Sequence, residues 1–165
     1  MIKFVVYDDE EVFRSNVVKS IDKVMSKSNL EYCIEEFAKY NSKMQKTIDE
    51  DIPKIYIMDI EIPNGLSGID VARRIRNNDW NSIIMLVTSH VDMGYDALKA
   101  QIMLLDFISK FDMYDKKMEE TIKLCINNKL NDNKNECNKP LNLALIITIP
   151  ISCLILIAIV ILIIV

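Results

Sequence analysis

Five residues stand where chemistry can be done. Asp8 and Asp9 close the apolar run Ile2–Tyr7, and Asp59 closes Ile55–Met58. Thr88 follows the run Ile83–Val87, and Lys110 comes just after Met103–Ile108. Three carboxylates converging in one cleft repel one another and demand a cation, and hard oxygen ligands with room for water suit Mg2+. An aspartate carboxylate can attack phosphorus and form an acyl phosphate. A cation neutralises charge on the transferring group, a lysine ammonium adds a second positive point, and a threonine hydroxyl can hydrogen-bond a phosphoryl oxygen. Singly, each residue has a plainer explanation. Asp8 and Asp9 can cap the next helix, Asp59 can open a loop, Thr88 can be β-branched filler, and Lys110 can be a solvated lysine. Their joint placement at four strand ends argues for a site.

The elements that must position them alternate along the chain. After the strand Ile2–Tyr7, the residues Val12, Phe13, Val17, Ile21, Val24 and Met25 recur at helical spacing. Leu30–Phe37 alternates as a half-exposed strand, and Asn41–Ile48 is a weak polar helix. The strand Ile55–Met58 runs into a loop marked by Pro63, Asn64, Gly65 and Gly68. A third helix follows, with Ser67 as N-cap and Asp70 in its first turn. The strand Ile83–Val87, a short helix Asp92–Ala100, the strand Met103–Ile108 and a long amphipathic helix from Asp112 to about Leu130 complete five β-α units. Compact apolar strands alternating with amphipathic helices imply an α/β fold: a doubly wound parallel sheet covered on both faces. In such sheets ligands bind beyond the carboxyl ends of the strands, at the switch point in strand order. With order 2-1-3-4-5 the second strand lies at an edge, and it is the one that ends without a reactive group.

Composition bounds the function. The chain has 165 residues and a net charge of −4, with its lysines and arginines interspersed among acids. That balance lacks a basic footprint and argues against direct nucleic-acid binding. Four cysteines without a CxxC pair form neither a disulfide framework nor a zinc site, and read as free thiols in a reducing cytosol. The N-terminal apolar run is too short for a signal peptide. The final segment, Leu141–Val165, carries no charged residue. As a helix it would reach about 37 Å, against a hydrocarbon core of about 30 Å. The expected organisation is therefore a globular domain over 1–130, a polar linker over 131–140 and a transmembrane helix over 141–165. Lys129, Lys134 and Lys139 precede the span and nothing charged follows it, which places the globular part on the cytoplasmic side of the cell membrane as a single-pass protein.

The residues FVVYDDEE at strand one, IYIMDIEIP at strand three, LVTSH at strand four and DFISK at strand five resemble the receiver domain of two-component response regulators. The resemblance covers about residues 1–128. It implies a flavodoxin-like (βα)5 sheet, Asp59 as phosphoacceptor, and Mg2+ held by the side chains of Asp8, Asp9 and Asp59 with the backbone carbonyl of Glu61. Thr88 would be the switch hydroxyl, Phe107 the switch aromatic and Lys110 the phosphate-contacting lysine. The segments VTSHVDMGYDAL and MLLDFISKFD are most similar to accessory-gene-regulator-type regulators of the LytTR class.

The family's phosphodonor is a sensor histidine kinase, and a homodimer through the fourth strand, fourth helix and fifth strand is compatible with the resemblance. The implied function is phosphorelay signal transduction by a membrane-tethered receiver that acts through a partner or serves as a phosphate sink. It would be a phosphoacceptor with slow self-dephosphorylation rather than an enzyme. The alternatives are a remnant of a LytTR-class transcription regulator without its output domain, or a small Mg2+-dependent phosphohydrolase using Asp59. Among the remaining residues, His90 reads as an exposed loop residue, Trp80 and the methionines as packing, and Arg73, Arg74 and Arg76 as a solvated basic face.

Overall fold

The structure, a computed structural model, describes residues 1–89, 93–94, 99–111 and 114–137, with side chains described as far as Asn128. Strands β1 (Ile2–Tyr7), β2 (Tyr32–Phe37), β3 (Lys54–Asp59), β4 (Ile83–Thr88) and β5 (Asp106–Ser109) form one sheet in the order β2-β1-β3-β4-β5. All four pairings are parallel. Helices α1 (Glu11–Met25), α2 (Ser42–Asp49), α3 (Gly68–Arg76) and α4 (Tyr114–Cys137) accompany it.

The central strands are apolar on both faces because both faces are covered. On one face Val5, Tyr7, Tyr56, Met58, Ile84 and Leu86 pack with Met44 and Ile48 of α2 and with Ile69, Val71, Ala72 and Ile75 of α3. Alternation turns Phe4, Val6, Ile55, Ile57, Met85 and Val87 to the opposite face. There Cys125 of α4 meets Met85. Buried side chains of this size stabilise by roughly 1.5–3 kcal/mol each. The helix starts follow the sequence signals. Asn41 Oδ1 accepts the Met44 N–H at 3.0 Å, and Ser67 Oγ accepts the Asp70 N–H at 3.1 Å.

Boundaries shift where local geometry decides. β5 is confined to Asp106–Ser109 rather than beginning at Met103, because Gln101 and Met103 adopt the left-handed region (φ 53° and 46°) and interrupt the extended chain. Helix α4 continues to Cys137, through most of the expected linker, since that stretch holds neither Gly nor Pro to stop it.

Arg76 is buried, not solvated. Its guanidinium donates to the carbonyls of Ile102, Met103, Asp79 and Ser82, and so ties α3 to the segments leading into β4 and β5. Trp80 is exposed instead of packed, with the Arg76 guanidinium 5.8 Å from its ring centroid, and Met103 is likewise exposed. Both sit in connecting segments beyond the sheet's amino end, where no layer formed by the described residues covers them.

The chain divides into two compact units, Met1–Asn128 and Lys129–Val165. Among the described residues no helix is long and apolar enough to cross a membrane. The expected span Leu141–Val165 lies outside the described residues, as do His90 and most of the expected helix Asp92–Ala100.

Candidate functional site

Parallel pairing brings the strand ends into one line. Tyr7 lies opposite Met58, Asp59 opposite Val87 and Thr88 opposite Ser109, so Asp8, Asp59, Thr88 and Lys110 emerge together at the sheet's carboxyl edge. Asp8, Asp9 and Asp59 each turn a carboxylate oxygen inward, and these atoms lie within 4.8 Å of one another. Asp8 and Asp59 are buried and Asp9 is half-buried. A cleft of about 180 Å³ lined by Asp9, Glu10, Asp59, Glu61, Pro63 and Ser89 opens onto them.

Lys110 supplies the charge that makes this cluster tolerable. Its Nζ lies 2.7 Å from Asp8 Oδ2 and 2.8 Å from Asp59 Oδ2, and its side chain is 1% exposed. Burial alone would lower its pKa. The bonds to Asp59 and Asp8 outweigh burial and hold the ammonium above the ordinary lysine value. Burial pushes Asp8 up, Lys110 pulls it down, and the net displacement is upward, with the Asp59 charge adding to it. The backbone fixes these groups from both sides. The Lys110 N–H donates to the Thr88 carbonyl at 2.9 Å. Asp8 Oδ1 accepts the Glu10 N–H at 2.9 Å, so Asp8 also organises the chain at the start of α1.

The loop after Asp59 is built around close backbone approach. Gly68 N–H donates to the Ile60 carbonyl at 2.9 Å, and a Cβ at Gly68 would stand 2.1 Å from the Asp59 carbonyl oxygen. Only glycine allows α3 to begin so near the acid. Glu61 is exposed, and its N–H donates to Asp59 Oδ1 at 3.3 Å. Thr88 is fully buried at the end of β4. Phe107, in β5, is partly buried against the core and faces Gly94, with its Cζ 3.6 Å from where a Gly94 side chain would begin.

The receiver domain profile, described as "Response regulator receiver domain", matches residues 4–123. The chain belongs to the response regulator receiver domain family. The acidic cluster of this receiver is the kind of pocket in which the family binds Mg2+, and its place is in phosphorelay signalling, where receivers take phosphoryl groups from histidine kinases. The donor set fits that ion: three carboxylate oxygens within reach of one centre and a cleft with room for water.

Among curated proteins, this receiver is 35% identical over 63 residues to accessory gene regulator protein A of Staphylococcus epidermidis. The match covers 38% of this chain, and only 26% of the relative's length. Among solved structures it is similar to the beryllofluoride-activated NtrC4 receiver domain dimer. The TM-score is 0.59 at 22% identity, covering 78% of this chain and 98% of that one. The response regulator TrrA from Thermotoga maritima, solved with Mg2+ and BeF, gives a TM-score of 0.55 at 24% identity, covering 75% and 99%. At these identities the structures establish the shared fold.

The structure adds residues that the sequence did not single out. Arg14 donates from Nη1 to the carbonyls of Asp8 (2.7 Å) and Asp9 (3.0 Å), clamping the acidic turn from within α1. Asp106 accepts from Thr121 and Lys117 of α4, each at 2.8 Å, which anchors β5 beside Phe107. Phe13, read as a core position of α1, places its ring against Lys110. Nothing in its spacing separates it from an ordinary apolar helix residue.

Proposed function

We propose that Asp59 is the phosphoacceptor of a membrane-tethered receiver that takes its phosphoryl group from a sensor histidine kinase. One observation carries this reading: a single buried lysine bridges Asp59 and Asp8 while a third carboxylate, Asp9, stands within 4.8 Å. An Asp59 oxygen attacks phosphorus on the donor's phosphoimidazole. The P–O bond forms as the P–N bond breaks, and the electron pair stays on the imidazole nitrogen, which takes up a proton from solvent. Asp8, Asp9 and Asp59, with the Glu61 carbonyl, would hold Mg2+, which would supply charge neutralisation for the transferring group. Lys110 meets one of those oxygens, the Thr88 hydroxyl takes another, and Phe107 follows Thr88 inward, biasing the surface around β4 and β5 between two states.

The protein acts through a partner docked on that surface or through a second copy of itself, without direct nucleic-acid contact, and does not turn over small phosphoesters. The apolar run Leu141–Val165 supports tethering to the cell membrane with the receiver on the cytoplasmic side. A tether raises the receiver's effective concentration near a membrane kinase. Carbonate washing of membranes from cells producing the full chain tests this part. Retention in the pellet supports the tether, and quantitative release removes it while leaving the phosphoacceptor reading intact.

A further inference from the structure

An ammonium has three N–H donors. In Lys110 two of them are taken by Asp8 and Asp59, at 2.7 and 2.8 Å. The nitrogen also lies 4.1 Å from the centroid of the Phe13 ring. Phe13 is itself held edge-to-face by Tyr114, the first residue of α4, with centroids 6.2 Å apart and planes at 83°. The Tyr114 hydroxyl is buried and meets no hydrogen-bond partner among the described residues. What joins Tyr114 to Phe13 is therefore the ring contact. Next to Phe13, Arg14 fixes α1 to the carbonyls of Asp8 and Asp9, so the aromatic face cannot drift from the acids.

A lysine ammonium is a compact, strongly hydrated charge. Near an aspartate that must receive a phosphoryl group, its hydration water has to be gone before the phosphoryl oxygen arrives. We propose that Phe13, buttressed by Tyr114, is a positioning residue for Lys110: its ring face replaces the third hydration contact and holds the ammonium dry where the phosphoryl oxygen meets it. This rests on Asp59 as phosphoacceptor.

The test uses the full chain, saturating Mg2+ and a titration of acetyl phosphate. Labelling of the wild type that disappears in Asp59→Asn must be seen first. Its absence overturns the phosphoacceptor reading whatever Phe13 does. Phe13→Leu keeps an apolar helix residue and removes the π face. The limiting phosphorylation rate should fall about thirtyfold, as expected for a desolvated cation–π contact, with the donor half-saturation concentration unchanged. Phe13→Tyr should restore the rate. In NMR spectra the Lys110 side-chain protons should be shifted upfield by the ring in the wild type and in Phe13→Tyr, and should return to ordinary lysine positions in Phe13→Leu. If Phe13→Leu does not fold, Phe13→Met makes the same comparison. A folded non-aromatic variant with the wild-type rate overturns the proposal. So does equal slowing in the Tyr and non-aromatic variants, which would leave Phe13 a packing residue only.

Discussion

Lys110 Nζ and Asp59 Oδ2 are 2.8 Å apart in a site almost closed to solvent. The acid proposed to receive a phosphoryl group therefore already touches the lysine proposed to meet that group. Asp8 shares the same ammonium, and Asp9 has no part in either ion pair. One positive charge thus faces three carboxylates, and two negative charges remain for a divalent ion.

Mg2+ should therefore stabilise the fold through this cluster. At a hundredfold excess over its dissociation constant the gain is about 2.7 kcal/mol. Thermal unfolding of the full chain with and without Mg2+ measures it, and Asp9→Asn should lose most of the response.

Asp8→Asn should separate stability from function. Burial first, with the Asp59 charge adding to it, raises Asp8 above its ordinary value despite Lys110. The folded chain thus holds a proton there more readily than the unfolded chain, and an ionised Asp8 opposes folding at neutral pH. Removing that charge should raise the thermal midpoint of the metal-free protein while abolishing its Mg2+ response. A lowered midpoint would show that the Lys110–Asp8 contact outweighs the cost of burying the charge.

Gly68→Ala should destabilise the chain by about 3 kcal/mol, the upper range for forced overpacking. The added methyl would meet the Asp59 carbonyl oxygen at 2.1 Å, so either α3 or the Asp59 loop must retreat. Urea unfolding gives the loss. A phosphorylation rate lower than the remaining folded fraction explains would show that the loop moved.

Glu35 governs part of the acid limb of stability. Burial tends to raise its pKa, but bonds from Lys3 (2.9 Å) and Thr47 (2.9 Å) outweigh this and hold it below the ordinary 4.5. A depressed acid contributes stability above its unfolded pKa and loses it as pH falls through the folded value. Stability measured from pH 6 downward should fall below about 4.5 in the wild type, and Glu35→Gln should flatten that limb.

Much of this was legible because strand ends in a parallel sheet are also sequence landmarks. Each of β1, β3 and β4 is a compact apolar run closed by Asp8–Asp9, Asp59 or Thr88, and the fold converts those endings into one edge. The Ser67 cap was equally visible, since its partner is three residues away. What was hidden depends on distant backbone. Arg76 looks like its neighbours Arg73 and Arg74, yet it is buried because four carbonyls converge on it from segments that only the tertiary fold assembles. The break before β5 arises from left-handed Gln101 and Met103, residue types that carry no such signal. The ring of Phe13 meets Lys110 across 97 positions of sequence, which no local periodicity encodes.

The most direct measurement is phosphotransfer from acetyl phosphate with Mg2+ onto the full chain, with Asp59→Asn as control. The account predicts a stoichiometric, hydroxylamine-sensitive acyl phosphate on the wild type and none on Asp59→Asn. A folded, Mg2+-responsive wild type that takes no label, or a label that survives in Asp59→Asn, would contradict it.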